Sequence, residues 1–122
     1  MAEVGPTKLA QVAITVADVE RAKGWYRDVL GLNHLFDAPP GLSFLECGET
    51  RLMLSRAEGP EAAGNSILYY GVADVEGAYR AMKSRGVAFD EPPKVIARID
   101  DRDVHLAICR DSEANLVGLI SG

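Results

Sequence analysis

The sequence predicts an α+β protein made of two βαβββ modules, each a curved mixed sheet with its helix on the outside. Three observations carry that prediction. An apolar, strand-like run leading into Val-Ala-Asp-Val-Glu occurs twice, at residues 16–20 and 72–76, with Asp18 and Asp74 56 positions apart. Each copy continues into a helical pattern closed by a glycine, Gly31 or Gly86. Short strand-like runs follow each glycine. Two copies at so long a spacing describe two fused modules rather than a solenoid.

The elements follow in order. Val12, Ile14 and Val16 alternate with Gln11, Ala13 and Thr15. Period-2 alternation puts one set against a helix and the other on the opposite face. Asp18 and Asp74 are suited to cap helices, because a short carboxylate accepts from the free N–H groups of a first turn. The first helix is expected to reach about Leu30, with Val19, Ala22, Tyr26, Val29 and Leu30 on one stripe. The second places Val75, Ala78, Tyr79 and Met82 likewise. Gly31 and Gly86 can take the left-handed conformation that ends a helix. Strands are expected at about 33–36, 42–47 and 51–55, with a hairpin at Gly48-Glu49-Thr50. In the second copy, Leu68-Tyr69-Tyr70-Gly71 is the first strand. Later strands are expected at 88–89 or 94–99, then 104–110 and 116–120, with Pro92-Pro93 breaking the chain before the sheet. Asp100-Asp101-Arg102-Asp103 reads as a solvated hairpin tip. Large apolar residues are missing from 57–65, which reads as a linker. The expected organisation is one domain over 1–122, with module 1 at about 8–56 and module 2 at about 66–121.

Composition narrows the function classes. A length of 122 residues suits one domain and buries about two-thirds of the unfolded surface. The formal net charge of −5 argues against nucleic acid, which requires a basic face, and lends nothing to an anionic membrane surface. No apolar run is long enough to span a bilayer, and residues 1–8 lack a signal-peptide pattern. A cytoplasmic protein is expected. Cys47 and Cys109 fit a reducing compartment, show no metal or redox spacing, and read as small buried hydrophobes. Tyr26 reads as core; Trp25, one step off the stripe, suits a loop cover, a cup edge or a subunit contact.

The run from Gln11 to Leu32, above all Trp25-Tyr26-Arg27-Asp28-Val29-Leu30-Gly31-Leu32, resembles the opening of a vicinal-oxygen-chelate protein (the superfamily of glyoxalases, bleomycin-resistance proteins and extradiol dioxygenases). Residues 72–87 resemble the start of that family's second half. Cys109-Arg110-Asp111-Ser112-Glu113-Ala114-Asn115 resembles its closing Asp-Pro-Asp-Gly-Asn turn, with Ser112, Glu113 and Ala114 in place of Pro, Asp and Gly. Losing that glycine leaves some residue at an unusual backbone angle unless the turn changes shape; Asn115 tolerates such angles better than most residues. The resemblance spans nearly the whole chain. It implies two modules around a shared cup, a natural small-molecule pocket, and a homodimer with two equivalent pockets. It says little about activity.

In metal-dependent members, four side chains, usually His and Glu, converge in the cup. The resemblance puts those positions at Gln11, Met53, Ile67 and Gly118. One weak amide ligand among four does not hold a hard divalent ion, so neither metal nor other cofactor is expected. The open face should carry Gln11, Thr15, Arg51, Met53, Ile67, Tyr69 and Gly118, a mainly apolar lining suited to an organic ligand. Arg51 could pair with a ligand carboxylate, and Tyr69 could stack on a ring. His105, two and four residues from Ala107 and Cys109, is the best single acid–base candidate if that face points into the cup. His34 follows the first helix with no partner spacing. The leading expectation is a metal-independent binding protein of the bleomycin-resistance type. The alternatives are a glyoxalase-like lyase or isomerase, and a structural or regulatory module with a filled cup.

Overall fold

The computed structural model describes residues 4–56 and 64–121. The chain forms two compact units, Met1–Ala63 and Gly64–Gly122. The first holds β1 (Gln11–Val16), α1 (Val19–Gly24) continued by a π-helical turn (Trp25–Leu30), β2 (Asn33–Ala38), β3 (Leu42–Cys47) and β4 (Thr50–Arg56). The second holds β5 (Leu68–Gly71), α2 (Val75–Ser84), β6 (Phe89–Ile99), β7 (Arg102–Arg110) and β8 (Leu116–Ser121). Each unit has one four-stranded mixed sheet, ordered β1-β4-β3-β2 and β5-β8-β7-β6. The outer strand β1 or β5 runs parallel to its neighbour, and the remaining pairs are antiparallel. The expected α+β class and βαβββ order are thus present in both units. Most of the expected linker, 57–63, lies outside the described residues. Among the described residues no helix is long and apolar enough to cross a membrane.

One contact and the strand register fix which sheet face meets the helix in unit 1. Lys23 of α1 binds Asp37 at 3.1 Å. Asp37 pairs with Ser43, and Ser43 with Leu54. Cross-strand partners share a face, so Leu45, Leu52, Ile14 and Val16 lie on the helix side, and all four are buried. In unit 2 the ring of Tyr79 on α2 meets Phe89 edge-on at 4.7 Å. Phe89 pairs with Cys109, Cys109 with Val117, and Val117 with Leu68. Those residues and their i+2 neighbours Tyr70, Ala107 and Leu119 form the second helix-side core.

The two helices start alike and end differently. Asp18 caps α1, accepting from the Arg21 N–H at 3.0 Å. Asp74 holds the same position before α2 but forms no side-chain cap bond. Gly31 lies thirteen positions after Asp18, and Gly86 twelve after Asp74. The additional residue is absorbed by the π-helical turn, where the Gly31 N–H reaches back five residues to the Tyr26 carbonyl. The wider turn carries Val29 and Leu30 off the expected stripe, and both are half-buried, while Ala22 and Tyr26 are buried as expected. Gly31 and Gly86 close their helices at φ 94° and 93°.

One expectation requires correction. Pro92-Pro93 does not break the chain: Phe89 and 94–99 belong to one strand, β6, with Ala88 just before it, and its register shifts on either side of the prolines. β6 is an edge strand, where a missing N–H costs no ladder bond. In the closing turn the residue at an unusual backbone angle is Ala114, at φ 67°. Asp111 fixes this shape by accepting from the N–H groups of Glu113 and Asn115 at 2.7 and 2.9 Å and from Asn115 Nδ2 at 3.0 Å. Asp100 and Asp101, at φ 52° and 62°, form a two-residue hairpin tip as the charge run suggests.

Candidate functional site

The face of each sheet turned away from its helix carries the candidate residues. In unit 1, Gln11, Ala13 and Thr15 of β1 stand beside Arg51, Met53 and Ser55 of β4. Arg51 Nε donates to Gln11 Oε1 at 2.8 Å. The Gln11 amide nitrogen points to Met53 Sδ at 3.8 Å, a weak contact. The Arg51 guanidinium also sits 5.6 Å from the centre of the Phe44 ring, and Phe44 stacks on Phe36 at 4.6 Å with the planes 23° apart. The sequence reading omitted this aromatic pair. Its signal was available, since the two-residue turn at Gly48-Glu49 pairs Phe44 with Met53 and so assigns both to one face. Thr15 is half-buried opposite Ser55.

In unit 2, Tyr69 of β5 pairs with Gly118 of β8. Its ring lies across that glycine, so a Cβ at 118 would stand 2.5 Å from Tyr69 Cδ2. Tyr69 remains 51% exposed, so its other ring face is open. Ile67, just before β5 and in step with Tyr69, is also exposed. At the far end of β5 and β8, a depression of about 430 Å³ is lined by Gly71, Val72, Ile99, Val104, Ile120 and Ser121. His105 does not join this face. It pairs with Ser121 and shares the side of Ala107 and Cys109, which the Tyr79–Phe89 contact assigns to the helix. The expectation that it points into a cup is corrected accordingly.

Titratable groups cluster elsewhere. His34 Nε2 and Asp37 Oδ1 lie 2.8 Å apart, and Lys23 bridges Asp37 and Glu20 at 3.1 and 2.9 Å. The imidazole of His34, with further support from Lys23, holds the Asp37 carboxyl well below the ordinary carboxylate range. Sequence spacing missed this set because a β-bulge between His34 and Phe36 brings His34 and Asp37 together. Burial, reinforced by Asp111 and Asp90, pushes the Cys109 thiol up to about 11. Burial raises Cys47 as well.

The family-type metal positions do not fit a hard divalent ion. Gln11 Oε1 is taken by Arg51, and Met53 offers a thioether. Ile67 has no donor atom, and the space above Gly118 holds the Tyr69 ring. Such ions require several oxygen or imidazole ligands. Among the described residues no group of three or more His, Cys, Asp and Glu side chains is placed to hold a metal.

The family profile described as Glyoxalase/Bleomycin resistance protein/Dioxygenase superfamily matches residues 8–114. No curated protein matches significantly in sequence. Solved structures with the same fold include a superfamily member from Sphaerobacter thermophilus, with TM-score 0.81, 19% identity, and 96% of this chain and 98% of that one covered. TnmS3, an antibiotic binding protein from Streptomyces sp. CB03234, superposes with TM-score 0.79 at 22% identity over 98% of both chains. Lactoylglutathione lyase from Agrobacterium tumefaciens gives TM-score 0.76 at 23% identity, covering 96% of this chain and 95% of that one. With its duplicated βαβββ order and a profile match over most of its length, this chain belongs to the glyoxalase/bleomycin resistance protein/dioxygenase superfamily.

Proposed function

We propose that the chain is a homodimeric binding protein that holds a small organic molecule on the helix-free sheet faces, without a metal ion and without converting it. The observation that carries this reading is the Tyr69 ring lying over Gly118. At a position where metal-dependent relatives place a ligand side chain, this chain has none, and a half-exposed aromatic plate covers it. A plate of this kind binds flat organic groups and does nothing for a cation that needs oxygen donors. The depression at the far end of β5 and β8 and the Phe36–Phe44 pair on the other sheet add apolar surface of the same kind. Similarity in fold to an antibiotic binding protein supports the class of ligand. A lyase or isomerase reading loses its acid–base candidate, because His105 faces the helix side.

The test is a thermal-shift screen of aromatic and acyl compounds, with elemental analysis of the purified protein and its mass in solution. A ligand that binds only the folded state must raise stability. Hits without stoichiometric divalent metal, at twice the 13.1 kDa chain mass, are expected. One tightly held ion per chain, or silence across a broad library, would overturn the reading.

A further inference from the structure

We infer that the bound molecule is an organic acid, and that Arg51 anchors its carboxylate. This rests on the binding reading above and specifies the ligand's charge. Arg51 is exposed, yet its side chain is held on two sides, by the 2.8 Å bond from Nε to Gln11 and by the Phe44 ring 5.6 Å away. Phe44 is itself stacked on Phe36, and Gln11 makes only a weak contact with Met53. The register places Glu46 directly across from Arg51 on the same face. An unconstrained arginine would pair with that carboxylate. Here the Glu46 carboxylate is 3.5 Å from Asn33 Nδ2, and Arg51 forms no ion pair among the described residues.

The two terminal nitrogens of the guanidinium have no acceptor among the described residues. They form a planar fork matched to a carboxylate. Holding the fork in place beforehand reduces the entropy lost on binding. Lys8 lines the same depression as Arg51, together with Glu46 and Glu49, so two cations are offset by two carboxylates, which suits a monoanion and disfavours a phosphate dianion. The surrounding Phe44, Met53 and Ala13 suit a flat apolar body attached to that carboxylate.

The experiment compares 2-naphthoate with its uncharged counterpart 2-naphthamide by titration calorimetry, on wild type, Arg51→Met and Glu46→Gln. Wild type is expected to prefer naphthoate by about ten-fold, a difference typical of one charge-assisted pair. Arg51→Met should abolish the preference, so that naphthoate and naphthamide bind alike. Glu46→Gln should tighten naphthoate binding only. Added salt should weaken naphthoate and not naphthamide. Equal affinities in wild type, or a preference that survives Arg51→Met, would overturn the carboxylate anchor and leave the binding reading standing. Binding of neither compound overturns the anchor; only a silent thermal-shift screen as well would remove the binding reading. Arg51→Lys gives a second check, since a point charge without the fork should retain only part of the preference.

Discussion

The Tyr69 ring and the Cα of Gly118 are in such close contact that no β-carbon fits between them, the nearest ring atom standing 2.5 Å from where that carbon would be. The pair is cross-strand, parallel, and on the face turned away from α2. Gly118→Ala must therefore displace the ring. Its expected cost is about 1–3 kcal/mol, the range for inserting a methyl group into a packed site. In a Tyr69→Ala background the same substitution should cost little. Urea denaturation of the four proteins of that cycle measures the coupling; additive costs would show that the ring does not rest on Gly118.

Ala114 occupies the left-handed region at φ 67°, where an alanine side chain is strained. Ala114→Gly removes that strain and adds some unfolded-state entropy. The net expectation is a gain of about 0.5–1 kcal/mol. Asp111→Ala should act in the opposite direction, because it leaves the N–H groups of Glu113 and Asn115 without their acceptor. Chemical denaturation midpoints check both.

Asp37 links β2 to α1 through Lys23 and touches His34. Its carboxyl is held below the ordinary range, so the folded state binds that proton less readily than the unfolded one. The resulting stabilisation is present above the ordinary carboxylate pKa of about 4 and fades as pH falls below it. Asp37→Asn should lower the melting temperature near neutral pH. Its deficit against wild type should hold from pH 6 to about pH 4 and shrink in melts taken from there towards pH 2.

Cys109 is fully buried, with its thiol pushed up to about 11, and Cys47 is half-buried with its thiol also raised. Only thiolate reacts with disulfide reagents. At pH 8 the native protein should release chromophore slowly from Cys47 and not from Cys109. Denaturant should expose the second thiol, and Cys47→Ser should remove the slow native phase alone.

The chain's own residues determined much of this architecture. The doubled Val-Ala-Asp-Val-Glu segment set the two modules, period-2 alternation in β1 and β4 assigned their faces, and glycines marked both helix ends. Local rules suffice there because one face is apolar and the other is not. The poverty of metal donors at Gln11, Met53, Ile67 and Gly118 was legible for the same reason, since it depends on residue type. β7 gave no such signal. Val104, Leu106 and Ile108 on one side and Ala107 and Cys109 on the other are all buried, so alternation could not orient His105. Only the Tyr79–Phe89 contact, carried through strand pairing, decided its face. Likewise Pro92-Pro93 looks like a break until β6 proves to be an edge, and the grip on Arg51 appears only when β1, β3 and β4 lie side by side. Pattern fixes what a segment's own polarity can express; position in the sheet fixes which neighbour each side chain meets.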